Sequence, residues 1–231
     1  MYQLVKAVFD CLFLPVLALI VLCKEIFWQR QVRRLFYSDH QFQKKDKALL
    51  DLYTTCSPYK IAASFARQTS ADDVHQFGST PIQVYHRMAT RWMHQKGTFA
   101  EFGSGTGRGL IFLEHFFSLK TIGFEINPTF VQLFTEFYAK YPSVNIEIFE
   151  QDYKKLKSLD YDWIYFYELF FSDQELKMFC KNLAERVKKT TGVISVSFPL
   201  STYHPSFLAI DQFTASFPWG KTNVYLNVLR L

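Results

Sequence analysis

The sequence predicts an α/β fold in which a doubly wound seven-strand sheet ends in a C-terminal antiparallel hairpin. N-terminal helices, one of them a hydrophobic, membrane-type helix, precede the sheet. Three observations carry this expectation. Glu101-Phe102-Gly103-Ser104-Gly105-Thr106-Gly107 leads an apolar segment into three glycines at alternate positions. Eighteen residues after Gly107, the run Thr121-Ile122-Gly123-Phe124-Glu125 ends a second apolar segment on an acid. Strand-like and helix-like stretches then alternate toward the C-terminus. Glycines let a chain turn sharply and approach a ligand, and a strand-end acid can accept hydrogen bonds from a ribose. Together they have the layout of a nucleotide-binding βαβ unit.

The N-terminal part differs from the rest. Cys11 to Cys23 is an uninterrupted apolar run of thirteen residues between Asp10 and Lys24. A helix needs about 20 apolar residues to span a bilayer. Adding Ala7–Phe9 and Ile26–Trp28 reaches that length, with charges near each end. Lysine can snorkel and Trp28 suits an interface. Residues 1–37 are therefore read as a hydrophobic anchor with a basic flank of Arg30, Arg33 and Arg34. Those arginines would hold the bulk of the chain on the cytoplasmic or matrix side of a membrane, or would contact anionic lipid. A buried core helix, a signal-peptide core and an interfacial helix are the alternatives.

Residues 38–75 read as a helical linker, with Pro58 as a break and a further helix over Ile61–Gln68. In Phe77-Gly78-Ser79-Thr80-Pro81-Ile82-Gln83, Thr80 suits an N-cap, Pro81 the first helical position and Gln83 a capping box. Ile82, Tyr85, Ala89 and Trp92 then share one helix face. Strands are expected at Thr98–Phe102, Thr121–Glu125, Val144–Phe149, Asp162–Tyr167 and Gly192–Phe198. Helices are expected at Arg108–Phe117, Pro128–Tyr141 behind an Asn127 cap, and from Ser172 to about Lys188 with Glu175 completing a capping box. Gln212–Phe217 and Asn223–Leu229 complete the hairpin around Pro218-Trp219-Gly220.

The G-x-G-x-G spacing departs from the G-x-G-x-x-G of dinucleotide sites. It resembles the first motif of the class I S-adenosylmethionine-dependent methyltransferases, whose sheet is Rossmann-like. That resemblance makes residues 76–231 a methyltransferase domain with S-adenosylmethionine as cofactor. Glu101, Gly103, Ser104, Gly105 and Gly107 would line the cofactor at the end of the first strand. Glu125 would hold the ribose. Asp152, after the third strand, would accept from the adenine amino group, with Tyr153 beside the base. Thr80 belongs to a loop that would close over the methionine end. The fourth strand, Tyr165-Phe166-Tyr167-Glu168-Leu169-Phe170-Phe171, would face the methyl acceptor. It lacks the Asn/Asp-Pro-Pro-Tyr/Phe of DNA and glutamine methyltransferases. Tyr167 and Glu168 are the catalytic candidates: an aromatic wall attracts an alkylammonium side chain, and a carboxylate can orient or deprotonate an amine. Core packing and a helix-start charge are the bland readings of the same residues.

Phe77–Pro81, Glu-Phe-Gly-Ser-Gly-Thr-Gly-Arg-Gly over 101–109, Gly-Phe-Glu-Ile-Asn-Pro over 123–128 and Ser197-Phe198-Pro199 narrow the resemblance. The chain looks like the ATP synthase c-subunit lysine N-methyltransferase-like family and, more distantly, the non-SET histone lysine methyltransferases. The similarity covers roughly residues 76 to 205. Tyr167-Glu168-Leu169 replaces a small-residue turn of that family. The resemblance implies transfer of a methyl group to a protein lysine, with membrane proteins among the candidate substrates, by direct in-line attack. The rival readings are a small-molecule or lipid methyltransferase at the membrane, and a noncatalytic cofactor-binding scaffold.

Composition fits a folded chain. Its 231 residues are 49% hydrophobic and include 25 Phe and 13 Tyr. Cys11, Cys23, Cys56 and Cys180 show no metal-ligand spacing and no disulfide framework. The net charge of +5 is modest, and no basic stripe accompanies the catalytic half, which argues against a nucleic-acid substrate.

Overall fold

A computed structural model describes residues 2–69, 78–167 and 172–230, with the side chains of 1–15, 17 and 18 outside that description. Seven strands form one sheet: β1 (Thr98–Phe102), β2 (Lys120–Glu125), β3 (Ile146–Glu150), β4 (Trp163–Phe166), β5 (Gly192–Val196), β6 (Phe207–Phe217) and β7 (Gly220–Leu229). The strand order is β3-β2-β1-β4-β5-β7-β6. β1 to β5 run parallel, and β7 is antiparallel to both β5 and β6. The order reverses between β1 and β4, so a crevice opens beyond their carboxyl ends.

The helices are α1 (Tyr2–Phe36), α2 (His40–Asp51), α3 (Pro58–Thr69), α4 (Ile82–Trp92), α5 (Arg108–Phe117), α6 (Pro128–Lys140) and α7 (Asp173–Arg186). Asn127 caps α6 and Ser172 caps α7 in a full capping box with Glu175, as their spacing predicts. Strand alternation sorts the core into two layers. Phe99 and Tyr165 face the side covered by α1, α2, α4, α5 and α6. Ala100, Phe102, Ile164 and Phe166 face the side that holds Phe179, Cys180 and Leu183 of α7. Glu101 alternates onto the first side, where Tyr85 of α4 meets it.

Three expectations need correction. α4 has no capping box: Pro81 sits at the N-cap position and no side chain caps the helix. The Thr80 hydroxyl instead lies 2.6 Å from the Tyr165 hydroxyl, and Gln83 donates to the Trp28 carbonyl oxygen. A tertiary partner for each group outcompetes the local cap. Pro58 opens α3 instead of only breaking a helix, because proline lacks the N–H that a first helical residue does not use. The hydrophobic anchor expected over residues 1–37 is not supported. Among the described residues, no helix is long and apolar enough to cross a membrane. Thirteen helical residues rise only about 20 Å. The C-terminal half of α1 is committed elsewhere, with Val32 and Phe36 in the core. Lys24 Nζ donates to the Pro218 carbonyl oxygen at 3.1 Å.

Within the stretch expected as a linker lie α2 and α3, and Phe42, Leu49, Tyr53 and Ile61 join the same core layer as the sheet helices. An edge-to-face group of Phe36, Phe42 and Phe112 packs α1 and α2 onto α5. Such ring pairs contribute about 0.5–1.5 kcal/mol each beyond their burial. A bidentate pair locks the arrangement: Arg108 reaches both carboxylate oxygens of the buried Asp46, at 2.6 and 2.7 Å. The Tyr37 hydroxyl donates to the same carboxylate at 2.8 Å, and Arg108 also donates to Gln29 at 2.7 Å. These bonds fix α1 and α2 over the crevice at the switch of strand order.

Candidate active site

A cavity of about 580 Å³ fills that crevice. One wall comes from the strand ends. After β1, the backbone N–H groups of Gly103 and Ser104 both donate to the Phe124 carbonyl oxygen, at 2.8 and 3.2 Å, which pins the glycine loop to β2. Glu125 ends β2 with both oxygens engaged: Gly105 N–H donates to Oε2 at 2.8 Å and Asn127 N–H to Oε1 at 2.9 Å. Burial raises the Glu125 pKa, and these backbone donors pull it back.

Gly103 has φ of +74°, and a Cβ there would meet nothing within 4 Å. The backbone is open toward the cavity at that point. Gly107 is the exception among the site glycines, because it does not line the cavity. Its φ is +71° and a Cβ would meet the Phe134 ring at 2.4 Å. The third glycine lets α5 start close against α6.

Glu101 is 4% exposed and accepts a very short hydrogen bond from the Tyr85 hydroxyl. Burial pushes its carboxyl up to about 8, helped by the nearby Glu125 charge and opposed by the Tyr85 bond. Burial likewise holds the Tyr85 hydroxyl well above the usual tyrosine range. Glu101 Oε2, Ser104 Oγ and the Tyr53 hydroxyl are buried with no hydrogen-bond partner, and all three residues line the cavity. Buried polar atoms without partners are costly, so they mark where a polar ligand fits.

The other expected residues spread around the same space. Thr80, Asp152, Tyr153 and Tyr167 all line it. Asp152 also caps a short 3-10 turn by accepting from Lys154 N–H at 2.9 Å. Tyr153 lies stacked on Phe102, with ring centroids 4.8 Å apart. Tyr167 packs its ring 4.6 Å from Phe217 at the hairpin tip. Phe77 and the segment Glu168 to Phe171 lie outside the described residues, so the catalytic expectation for Glu168 has no structural counterpart here.

Sequence reasoning misses the helical wall. Glu25 and Gln29 of α1, Tyr53 after α2 and Tyr59 of α3 all line the cavity. A signal is present: Leu22, Glu25, Ile26, Gln29 and Val32 recur at helical spacing across the end of the apolar run. In the sequence they read as a membrane flank, whereas in the structure they form one cavity-facing stripe.

Known structures share this architecture. An RNA methyltransferase from Salinibacter ruber in complex with S-adenosyl-L-homocysteine matches with a TM-score of 0.54 at 17% identity, over 66% of this chain and 95% of that one. A mutant of MtNAS in complex with S-adenosylmethionine matches at 0.53 and 13% identity, over 87% of this chain and 82% of that one. TrmN from Thermus thermophilus matches at 0.53 and 11% identity, over 64% of this chain. The match spans about half of TrmN, 48% of its chain. No protein-family model and no curated protein matches the sequence. At such identities the likeness establishes the fold alone, a seven-strand Rossmann-like methyltransferase sheet.

Proposed function

We propose that this chain binds S-adenosylmethionine and transfers its methyl group to an amine, with a protein lysine as the acceptor. One observation carries the reading: unpartnered Glu101 and Ser104 oxygens, an open Gly103 and a strand-end Glu125 share one cavity with a tyrosine-lined second wall. The residues fit the cofactor. Glu125 would hold the ribose hydroxyls, and Asp152 with Tyr153 the adenine. Gly103 and Gly105 would give the backbone cradle, while Thr80, Glu101 and Ser104 would face the cationic end. When bound, S-adenosylmethionine supplies a methyl group activated by a sulfonium. The chain supplies position and exclusion of water, which lower the barrier by orienting acceptor and donor. Tyr167 walls the acceptor side, and Glu168, its neighbour in the chain, is the candidate for orienting the amine.

The division into an N-terminal segment of residues 1–37, a helical stretch of 38–75 and a methyltransferase domain of 76–231 is retained as a proposal. So is contact with a membrane. Leu19, Ile20, Leu22, Ile26 and Phe27 of α1 are exposed, as are Arg30, Arg33 and Arg34. An exposed apolar stripe next to cations suits an anionic lipid surface. Leu22 and Ile26 also line the cavity, so a membrane-borne lipid or other small molecule is the second reading of the acceptor.

Transfer of labelled methyl from S-adenosylmethionine into native membrane and soluble extracts separates these readings. Methyl-lysine recovered from hydrolysed protein, absent with Glu125→Ala, is the expected result. Label in the lipid phase would replace lysine with the second reading. Absence of any Glu125-dependent label would overturn methyl transfer in favour of a noncatalytic scaffold.

A further inference from the structure

We propose that Glu25 is an acceptor-site carboxylate of the cavity and that it selects an alkylammonium group. This rests on the methyl-transfer reading above and adds the residue that chooses the acceptor.

Glu25 is half-buried on α1 and lines the cavity. Its Oε1 accepts from the Tyr59 hydroxyl at 2.6 Å and from the Ser79 hydroxyl at 3.4 Å. Among the described residues, no lysine, arginine or histidine pairs with it. Lys24 turns away to the Pro218 carbonyl oxygen, and Arg108 is held by Asp46. A carboxylate withdrawn from water without a cation is costly, and a cationic ligand removes that cost. Hydroxyl donors alone orient it without neutralising it.

The surrounding surface suits the same ligand. Tyr59, which donates to Glu25, lines the cavity together with Tyr165 and Tyr167. The exposed Trp219 ring stands 6.5 Å from the Tyr59 ring, edge to face. Gly78 sits between two of these rings: a Cβ there would lie 3.1 Å from Tyr167 and 3.5 Å from Trp219 Nε1. Aromatic faces attract ammonium groups. The strand-end wall, with Glu101 and Glu125, belongs to the same cavity, so an amine held by Glu25 shares the space that the donor is proposed to fill. A neutral alcohol would leave the Glu25 charge uncompensated, which gives discrimination by charge.

In the reaction the bound ammonium releases one proton to water. The freed nitrogen lone pair forms the new N–C bond as the methyl–sulfur bond breaks with its electron pair on sulfur. The products are a methylammonium, a neutral thioether and one proton.

Calorimetric titration of the full chain tests the assignment. S-Adenosyl-L-homocysteine is added first, then hexylamine or hexanol to the loaded chain. The expected result is hexylammonium binding at least about tenfold tighter than hexanol, as one charge-assisted contact provides. Glu25→Gln should abolish that preference while leaving S-adenosyl-L-homocysteine affinity within about twofold, and Glu25→Asp should retain it. Equal binding of amine and alcohol to the unmutated chain would overturn the proposal even if Glu25→Gln failed to fold. So would an amine preference that survives in Glu25→Gln. Lack of S-adenosyl-L-homocysteine binding would instead break the methyl-transfer reading. The amine and alcohol titrations on the free chain would then decide the Glu25 assignment by the same criterion.

Discussion

On the wall made by strand ends, Glu125 is held by two backbone N–H groups and the glycine loop by the Phe124 carbonyl oxygen. On the wall made by helices, Glu25 is held by two side-chain hydroxyls, and the helices themselves by Arg108, Asp46 and a group of phenylalanines. The first wall uses main-chain atoms of a parallel sheet, which nearly any sequence of that fold provides. The second depends on side chains from α1 and α3 that lie far apart in the chain. A common donor on the first wall and a chain-specific acceptor on the second is the division of labour this suggests.

The largest effect should come from attacking the backbone wall. Gly107→Ala puts a methyl against Phe134 and holds it at a left-handed φ. Overpacking and backbone strain together should cost about 2–4 kcal/mol in denaturant unfolding. Gly103→Ala has the same kind of φ but open space, so strain alone should cost about 1 kcal/mol. Equal losses at the two positions would mean that packing of α5 on α6 does not shape the loop.

Tyr85→Phe sits where the walls meet. It removes the donor to Glu101 and should cost about 1–2 kcal/mol. Glu101 also predicts a pH signature. Its carboxyl is pushed up to about 8 from its ordinary value of 4.5 by burial, then by Glu125. Between those values the folded chain keeps a proton that the unfolded chain has lost. Stability of the free chain should therefore fall as pH rises through that window and level off above it. A bound sulfonium favours the ionised Glu101, so donor binding below about pH 8 should release a proton and tighten as pH rises. Titrations in two buffers of different ionisation enthalpy measure that release, and S-adenosyl-L-homocysteine, with neutral sulfur, should release less.

The smallest effect belongs to neither wall. Lys120 and Glu147 form an exposed pair at 2.8 Å on β2 and β3. Lys120→Ala should change stability by less than about 1 kcal/mol. A larger loss would show that the sheet depends on its surface charges.

The strand-end wall is legible in the sequence because its chemistry is local. Three glycines and a later acid fix the turn, Gly103, Gly105 and Glu125 line the cavity beside it, and β1 and α5 fall where their patterns place them. The helical wall is not, because α1 carries two signals at once. Its apolar run reads as a membrane segment, while the stripe from Leu22 to Val32 serves the cavity. Thr80 and Gln83 mislead for a related reason: a capping pattern describes a local bond, and each side chain finds a distant partner. Strand ends move for the same kind of reason. β6 begins at Phe207, well before the expected Gln212, because pairing with the full length of β7 decides its extent.

The strand-end wall is proposed to bind S-adenosylmethionine through Glu125. Titrating S-adenosylmethionine into the full chain and into Glu125→Ala tests it most directly. Saturable binding at one site per chain, weakened about a hundredfold by the substitution, is the predicted result. No binding to the unmutated chain, or binding that Glu125→Ala leaves unchanged, would contradict it.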